Sequence, residues 1–256
     1  MSVNGVRREI LLGVPVDYVE EGQLKEIIWA LSDNKERNLI VFLTFRDFMR
    51  VRHNKKYREM VEKAALVIPV SRLISDGFRY CGFDEPPRFL PFSFMIRTFK
   101  ILEDRGQSVS FLGGTLQEVN AAAANMKASF PALKIVGRYK GSFSCAEEEN
   151  GVLTAVKKVS PTFFLVGARI RHRWEWLVSH IDEFSPGIFV YDENMIDIMS
   201  RKKESPDERR WQKRKDKGCL FVYWHYRTLL RKFRKKRRAE AVAASAVKDS
   251  PADTSV

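Results

Sequence analysis

The sequence predicts an α/β protein: a Rossmann-like, mostly parallel sheet with helices on both faces, extended by a basic amphipathic helical appendage. Two observations predict the body. Short apolar runs of four to six residues alternate with longer amphipathic stretches through the first 200 residues, the pattern of repeated strand-helix units. The runs are short and mostly apolar, as strands covered on both faces tend to be, with Ser108, Ser110 and Lys134 as polar interruptions. The appendage follows from charge. Residues 201–256 hold 18 Lys or Arg against 7 Asp or Glu, a net of +11 within the formal +13 of the whole chain.

Taken in order, residues 22–31 are expected to form a helix and 39–44 the first buried strand. A helix over 47–63, a strand over 65–69 and a helix over 92–103 follow. Strands at 108–112, 133–136, 163–166 and 188–191 then alternate with helices at 116–129, 147–158 and 171–184. Three segments result: an α/β unit over 1–200, a basic membrane-associating appendage over 201–238 and a tail without regular structure over 239–256.

A length of 256 residues with 45% hydrophobic side chains is enough for a substantial core and excludes global disorder. Cys81, Cys145 and Cys219 are few, odd in number and far apart, which argues against a disulfide framework or a thiolate metal site and favours a cytosolic protein. The start of the chain has no long apolar region, and no later stretch has the roughly 18 apolar residues of a membrane span. Any membrane contact is therefore expected to be peripheral. His53, His172, His180 and His225 have no metal-ligand spacing, and no metal or cofactor is expected.

On a helix, Val222, Tyr226, Leu229 and Phe233 fall on one apolar stripe. Beside it stand Trp224 and a run of cations that includes Arg231, Lys232, Arg234 and Lys235. Residues 219–238 suit an anionic membrane surface, with those five side chains as the contacts. Packing of the stripe on the body and nucleic-acid binding are the alternatives. The last is disfavoured because no recognition motif accompanies the charge.

In parallel sheets ligands bind beyond the carboxyl ends of strands, which singles out three loops. Gly113 and Gly114 form a strand-to-helix turn that permits close backbone approach and offers helix-start amides to phosphate. Arg138, Tyr139 and Lys140 follow the next strand; the cations suit a diphosphate and the ring suits stacking on a base or sugar. Gly167 ends a third strand and precedes Arg169, Arg171, His172 and Arg173. Cations at a helix start are locally unfavourable, which calls for an anionic partner or a nearby carboxylate.

The order of these segments resembles the WecG/TagA/CpsF family of bacterial glycosyltransferases, glycosyltransferase family 26. The resemblance runs from about Ile10 to Tyr226. It rests on Ile10-Leu11-Leu12-Gly13-Val14-Pro15-Val16-Asp17, on Leu66-Val67-Ile68-Pro69, on Phe111-Leu112-Gly113-Gly114, and most strongly on residues 130–137 with Gly141-Ser142-Phe143. It implies metal-independent, inverting transfer of a sugar from a UDP-sugar to a polyprenyl-diphosphate-linked acceptor in cell-surface polysaccharide biosynthesis. The place implied is the inner face of the cell membrane, with the basic C-terminal appendage attaching the protein there and completing the site.

The chemical positions depart from the family. Its Pro-Asp-Gly, which supplies the proposed catalytic base, is Pro69-Val70-Ser71 here, a register supported by Gly82 downstream. Its Thr-Pro-Asn turn is Thr44-Phe45-Arg46, which keeps the threonine. Its Gly-Ala-Pro-Lys-Gln-Glu-Lys-Trp signature is Gly167-Ala168-Arg169-Ile170-Arg171-His172-Arg173-Trp174, and its Phe-Asp-Phe is Ile196-Asp197-Ile198. Valine cannot accept a proton. In an active, divergent enzyme Asp76, Asp197 or His172 takes that role, Thr44 touches substrate, and Arg138, Lys140 and Arg171 stabilise the leaving UDP. The alternative is an inactive paralogue that binds a nucleotide sugar, a lipid phosphate or a partner protein at the membrane.

Overall fold

The computed structural model describes residues 5–204 and 220–248. Two strands open it, β1 (Arg7–Leu11) and β2 (Val14–Tyr18), paired as an antiparallel hairpin. Leu12 and Gly13 turn the hairpin with φ of 54° and 80°. Two positive-φ residues in a two-residue loop match the right-handed strand twist. A leucine in the first position is why this hairpin was not legible from turn residues.

The remaining strands are β3 (Arg37–Leu43), β4 (Leu66–Pro69), β5 (Ser108–Leu112), β6 (Lys134–Tyr139), β7 (Phe163–Val166) and β8 (Gly187–Tyr191). They form one six-stranded sheet in the order β4-β3-β8-β7-β5-β6, and every pairing is parallel. Successive side chains of a strand point to opposite faces, and both faces here are apolar. Ile40 and Phe42 join one core, whereas Leu39, Val41 and Leu43 join the other.

The first core is closed by α1 (Leu24–Asp33), α5 (Pro91–Asp104), α6 (Leu116–Ser129) and α9 (Met195–Met199). The second is closed by α2 (Phe45–His53), α3 (Lys55–Lys63), α4 (Arg72–Tyr80), α7 (Ala146–Val159), α8 (Trp174–His180), the hairpin and a last helix, α10 (Leu220–Lys248). The single helix expected over 47–63 is two helices. Asn54 takes an extended conformation between them, and its Oδ1 caps α3 by accepting from the Tyr57 amide at 2.9 Å. Likewise α8 starts at Trp174 rather than Arg171, because His172 and Arg173 have φ of 62° and 53°.

The apolar stripe of α10 packs on the body. Tyr226 and Leu230 are buried, and Val222, Leu229 and Phe233 are partly buried against the second core. Tyr226 meets Phe45 and Phe48 edge-on, with centroids at 5.1 and 5.9 Å, and its hydroxyl donates to the Leu73 carbonyl at 3.0 Å. Farther along, Cys81 Sγ reaches the Leu230 carbonyl, and Arg237 donates to the Cys81 carbonyl at 3.2 Å. These contacts run α10 alongside α4 in the same direction, with its first turns at the carboxyl edge of the sheet. Residues 239–248, expected to lack regular structure, continue the helix; Cys219 lies outside the described residues, as do 205–218 of the appendage and 249–256 of the tail.

Candidate functional site

The outgoing connections of β5 and β7 leave on opposite faces, through α6 and α8. The crevice between two such strands is where parallel sheets take ligands. Here Gly113, Gly141 and Gly167 meet. A Cβ on Gly113 would stand 2.9 Å from the Gly167 Cα, and one on Gly141 would stand 2.5 Å from the Ala168 oxygen and 2.9 Å from the Gly113 Cα. Only glycine lets the three loops touch. Their amides point inward: Gly113 donates to Tyr139, Gly114 to Ala168, Gly141 to Gly114 and Gly167 to Leu112, at 2.7 to 2.9 Å. The amides of Gly113 and Gly114 themselves are therefore engaged within the fold. The two glycines form a floor instead of a hydrogen-bonding cradle.

Two side chains overlooked in the sequence stand on that floor. Ile196 of α9 is fully buried and fills the space beside Gly114 and Gly167. Glu118 closes a reciprocal capping box, accepting from the Thr115 amide at 2.8 Å while Thr115 Oγ1 accepts from the Glu118 amide at 3.2 Å. The Thr115-x-x-Glu118 spacing was the available signal. Lys202 donates to the same carboxylate, and Arg169 Nε stands 3.5 Å away. The Lys202 ammonium, the Thr115 amide and Arg169 hold Glu118 below the usual carboxylate range.

Glu118 answers part of the question raised by the cations after β7. Glu193 answers another part, 3.7 Å from Arg173. Arg171 and His172 are exposed. The loop holds Arg169, His172 and Arg173 at left-handed φ of 67°, 62° and 53°. Each such non-glycine residue costs on the order of 1–3 kcal/mol, a cost the surrounding packing must offset. Part of that packing is Trp174, edge-on to Tyr57 at 4.9 Å, with Arg50 over the Tyr57 ring. Arg50, Asn54, Ile170, His172, Arg173, Trp174 and Glu175 line a cleft of about 370 Å³. A larger one of about 480 Å³ lies between α10 and β1, lined by Arg8, Ile10, Phe83 and Phe233 among others.

The other expected residues are spread along the carboxyl edge. Thr44 caps α2: its Oγ1 accepts from the Asp47 amide at 3.2 Å and contacts the Asp47 carboxylate at 2.5 Å. Asp76, on α4, accepts from Arg79 at 2.6 Å and has Arg72 at 3.8 Å. Strand β4, which leads into α4, is three places from β7 in the sheet, about 14 Å at the usual strand spacing. Lys140 pairs with Glu148 at 2.6 Å, and burial pushes the Tyr139 phenol up. Arg138 is exposed at the end of β6. Asp197, half-buried in the first turn of α9, makes no side-chain hydrogen bond or ion pair among the described residues.

The body is thus a six-stranded parallel sheet with glycine loops meeting where its connections diverge. Residues 9–238 match the Glycosyl transferase WecG/TagA/CpsF family. The chain belongs to that family. No curated protein matches it. Within the WecG/TagA/CpsF frame the protein is of transferase type, and α10 falls largely inside the matched span. Among the described residues no helix is long and apolar enough to cross a membrane.

Proposed function

We propose that the protein transfers a sugar from a UDP-sugar to a polyprenyl-diphosphate-linked acceptor in cell-surface polysaccharide biosynthesis, held at the inner face of the cell membrane by α10. The observation that carries this reading is the family match over residues 9–238 on a sheet whose glycine loops meet at β5 and β7. On this reading the UDP lies over the Gly113, Gly114 and Gly167 floor beside Tyr139. Arg138 and Arg171, exposed and without a carboxylate partner among the described residues, balance the diphosphate charge that grows as the bond to the sugar breaks. Lys140 joins them by leaving Glu148. The acceptor hydroxyl attacks the anomeric carbon as UDP departs, and a base takes its proton.

Asp197 is the base we favour over Asp76 and His172. Its carboxylate is free among the described residues, and Ile196 beside it touches the glycine floor. The lone pairs of Asp76 already serve Arg79. Thr44 remains a substrate contact only if its hydroxyl leaves Asp47.

A second reading is favoured by Val70 at the position of the family's proposed base and by Ile196 and Glu118 on the floor: a paralogue that binds a nucleotide sugar or lipid phosphate without transfer. The deciding experiment presents a panel of UDP-sugars and a short-chain polyprenyl-diphosphate-N-acetylglucosamine in liposomes. Wild type, Asp197→Ala, Asp76→Ala and His172→Ala are compared, with UDP binding measured in parallel. Transfer lost in Asp197→Ala with UDP binding kept supports the reading. Binding without transfer from any donor points to the second.

A further inference from the structure

We infer that Tyr226 is a positioning residue: a wedge carried by α10 that sets the spacing between the first turns of α2 and α4. Those turns begin at Thr44 and Ser71, at the carboxyl ends of β3 and β4, which are neighbours in the sheet. The Tyr226 ring lies against Phe45 and Phe48, both in the first half of α2, and its hydroxyl ends on the Leu73 carbonyl in the first turn of α4. The ring is 2% exposed. One tail side chain thus touches both helix starts.

The seat on α4 is specific. A Cβ at Gly77 would overlap the Tyr226 hydroxyl and approach Leu11 at 3.2 Å. Gly77 sits inside a helix, where glycine costs roughly 1 kcal/mol against alanine and no left-handed φ requires it. The Tyr226 hydroxyl fills the notch it leaves, with Leu11 at its side. Burial also raises the phenol far above its ordinary range, so the hydroxyl stays a donor to Leu73 at any working pH.

The consequence is a coupling. Any event that lifts α10 withdraws Tyr226 from between α2 and α4, and the helix starts that carry Thr44 and Ser71 lose their spacer. The functional weight of that edge rests on the transferase reading; the wedge itself does not, and its test needs no turnover.

Hydrogen exchange by mass spectrometry on the full chain gives that test. Tyr226→Ala empties the notch and Gly77→Ala fills it. Both are expected to speed exchange in amides 48–51 of α2 and 76–80 of α4 at least tenfold more than in amides 134–139 of β6, whose own increase reads the loss of global stability. Tyr226→Phe, which keeps the ring, is expected to restore α2 and to leave a smaller increase in α4. Faster exchange confined to α10, with α2 and α4 unchanged, would show that Tyr226 only fastens the helix and would overturn the inference. Uniformly faster exchange in Tyr226→Ala and Gly77→Ala that Tyr226→Phe does not share would mark global destabilisation and also count against it.

Discussion

Arg8 grips both carboxylate oxygens of Asp17, Nε donating to Oδ1 at 2.6 Å and Nη2 to Oδ2 at 2.7 Å, and Oδ2 also accepts from the Val67 amide at 2.6 Å. Arg8 Nη2 also donates to the carbonyls of Ala64 and Ala65. The hairpin is thereby bolted to the entry of β4 through a carboxylate that is fully buried. Removing one partner of a buried pair leaves the other charge without compensation, which costs roughly 3–5 kcal/mol. Asp17→Ala should lower the unfolding free energy by about that amount in urea titration. A loss below about 1 kcal/mol, the scale of an exposed pair, would mean that water reaches Arg8.

Glu118 gives the clearest dependence on pH. Its folded carboxyl is held below the usual range by Lys202, the Thr115 amide and Arg169. A depressed folded value contributes stability that is present above the unfolded value and is lost as pH falls through the folded one. The difference in melting temperature between wild type and Glu118→Gln should therefore be widest above about pH 5 and close as pH drops below about 4, given an unfolded glutamate near 4.3. A difference that is flat with pH would remove charge pairing as the cause.

The glycine crossing predicts unequal costs for one substitution. Gly113 has φ of 148° and its Cβ would meet the Gly167 backbone at 2.9 Å, whereas Gly22 has open space around it. Backbone cannot swing aside as a flexible side chain does. Gly113→Ala should cost at least about 2 kcal/mol, and Gly22→Ala should stay within about 0.5 kcal/mol. Equal losses in the two variants would contradict the closed packing of the three loops.

What the sequence made legible follows from how each feature is encoded. Buried strands announce themselves by consecutive apolar residues, as residues 163–166 do for β7, and 108–112 also match β5 residue for residue although Ser108 and Ser110 interrupt its apolar run. The hairpin was hidden because Leu12, not Asn or Gly, takes its first positive φ. Helix α4 was hidden because its middle holds Asp76-Gly77, a turn-like pair whose glycine answers to Tyr226, 149 residues away. The three glycine loops were each visible, yet their meeting depends on strand order, which no local pattern carries. The same holds for Ile196 and Glu118: their types were plain, and their place on the floor was not.

The two neighbouring aromatics of α10 should behave oppositely. Trp224 is 69% exposed and Tyr226 is 2% exposed. On a helix Trp224 shares its outward side with Arg231, Lys235 and Arg238, all exposed, while the Tyr226 side carries Leu230 and Phe233 against the body. Arg234, by contrast, stacks over Tyr80 at 4.9 Å, so part of its role lies within the protein. Tyr226→Ala should therefore destabilise by about 3–5 kcal/mol and Trp224→Ala by less than about 0.5 kcal/mol, read from urea unfolding. Vesicle flotation should reverse the ranking if α10 meets the membrane with its outward side. With phosphatidylglycerol-containing vesicles, Trp224→Ala or a double Arg231→Glu, Lys235→Glu variant should lose binding while Arg234→Gln keeps most of it. Binding that survives the double reversal would place the lipid contact elsewhere on the protein. Binding that falls equally with Arg234→Gln would mean that total charge, and not the outward stripe, sets the attraction.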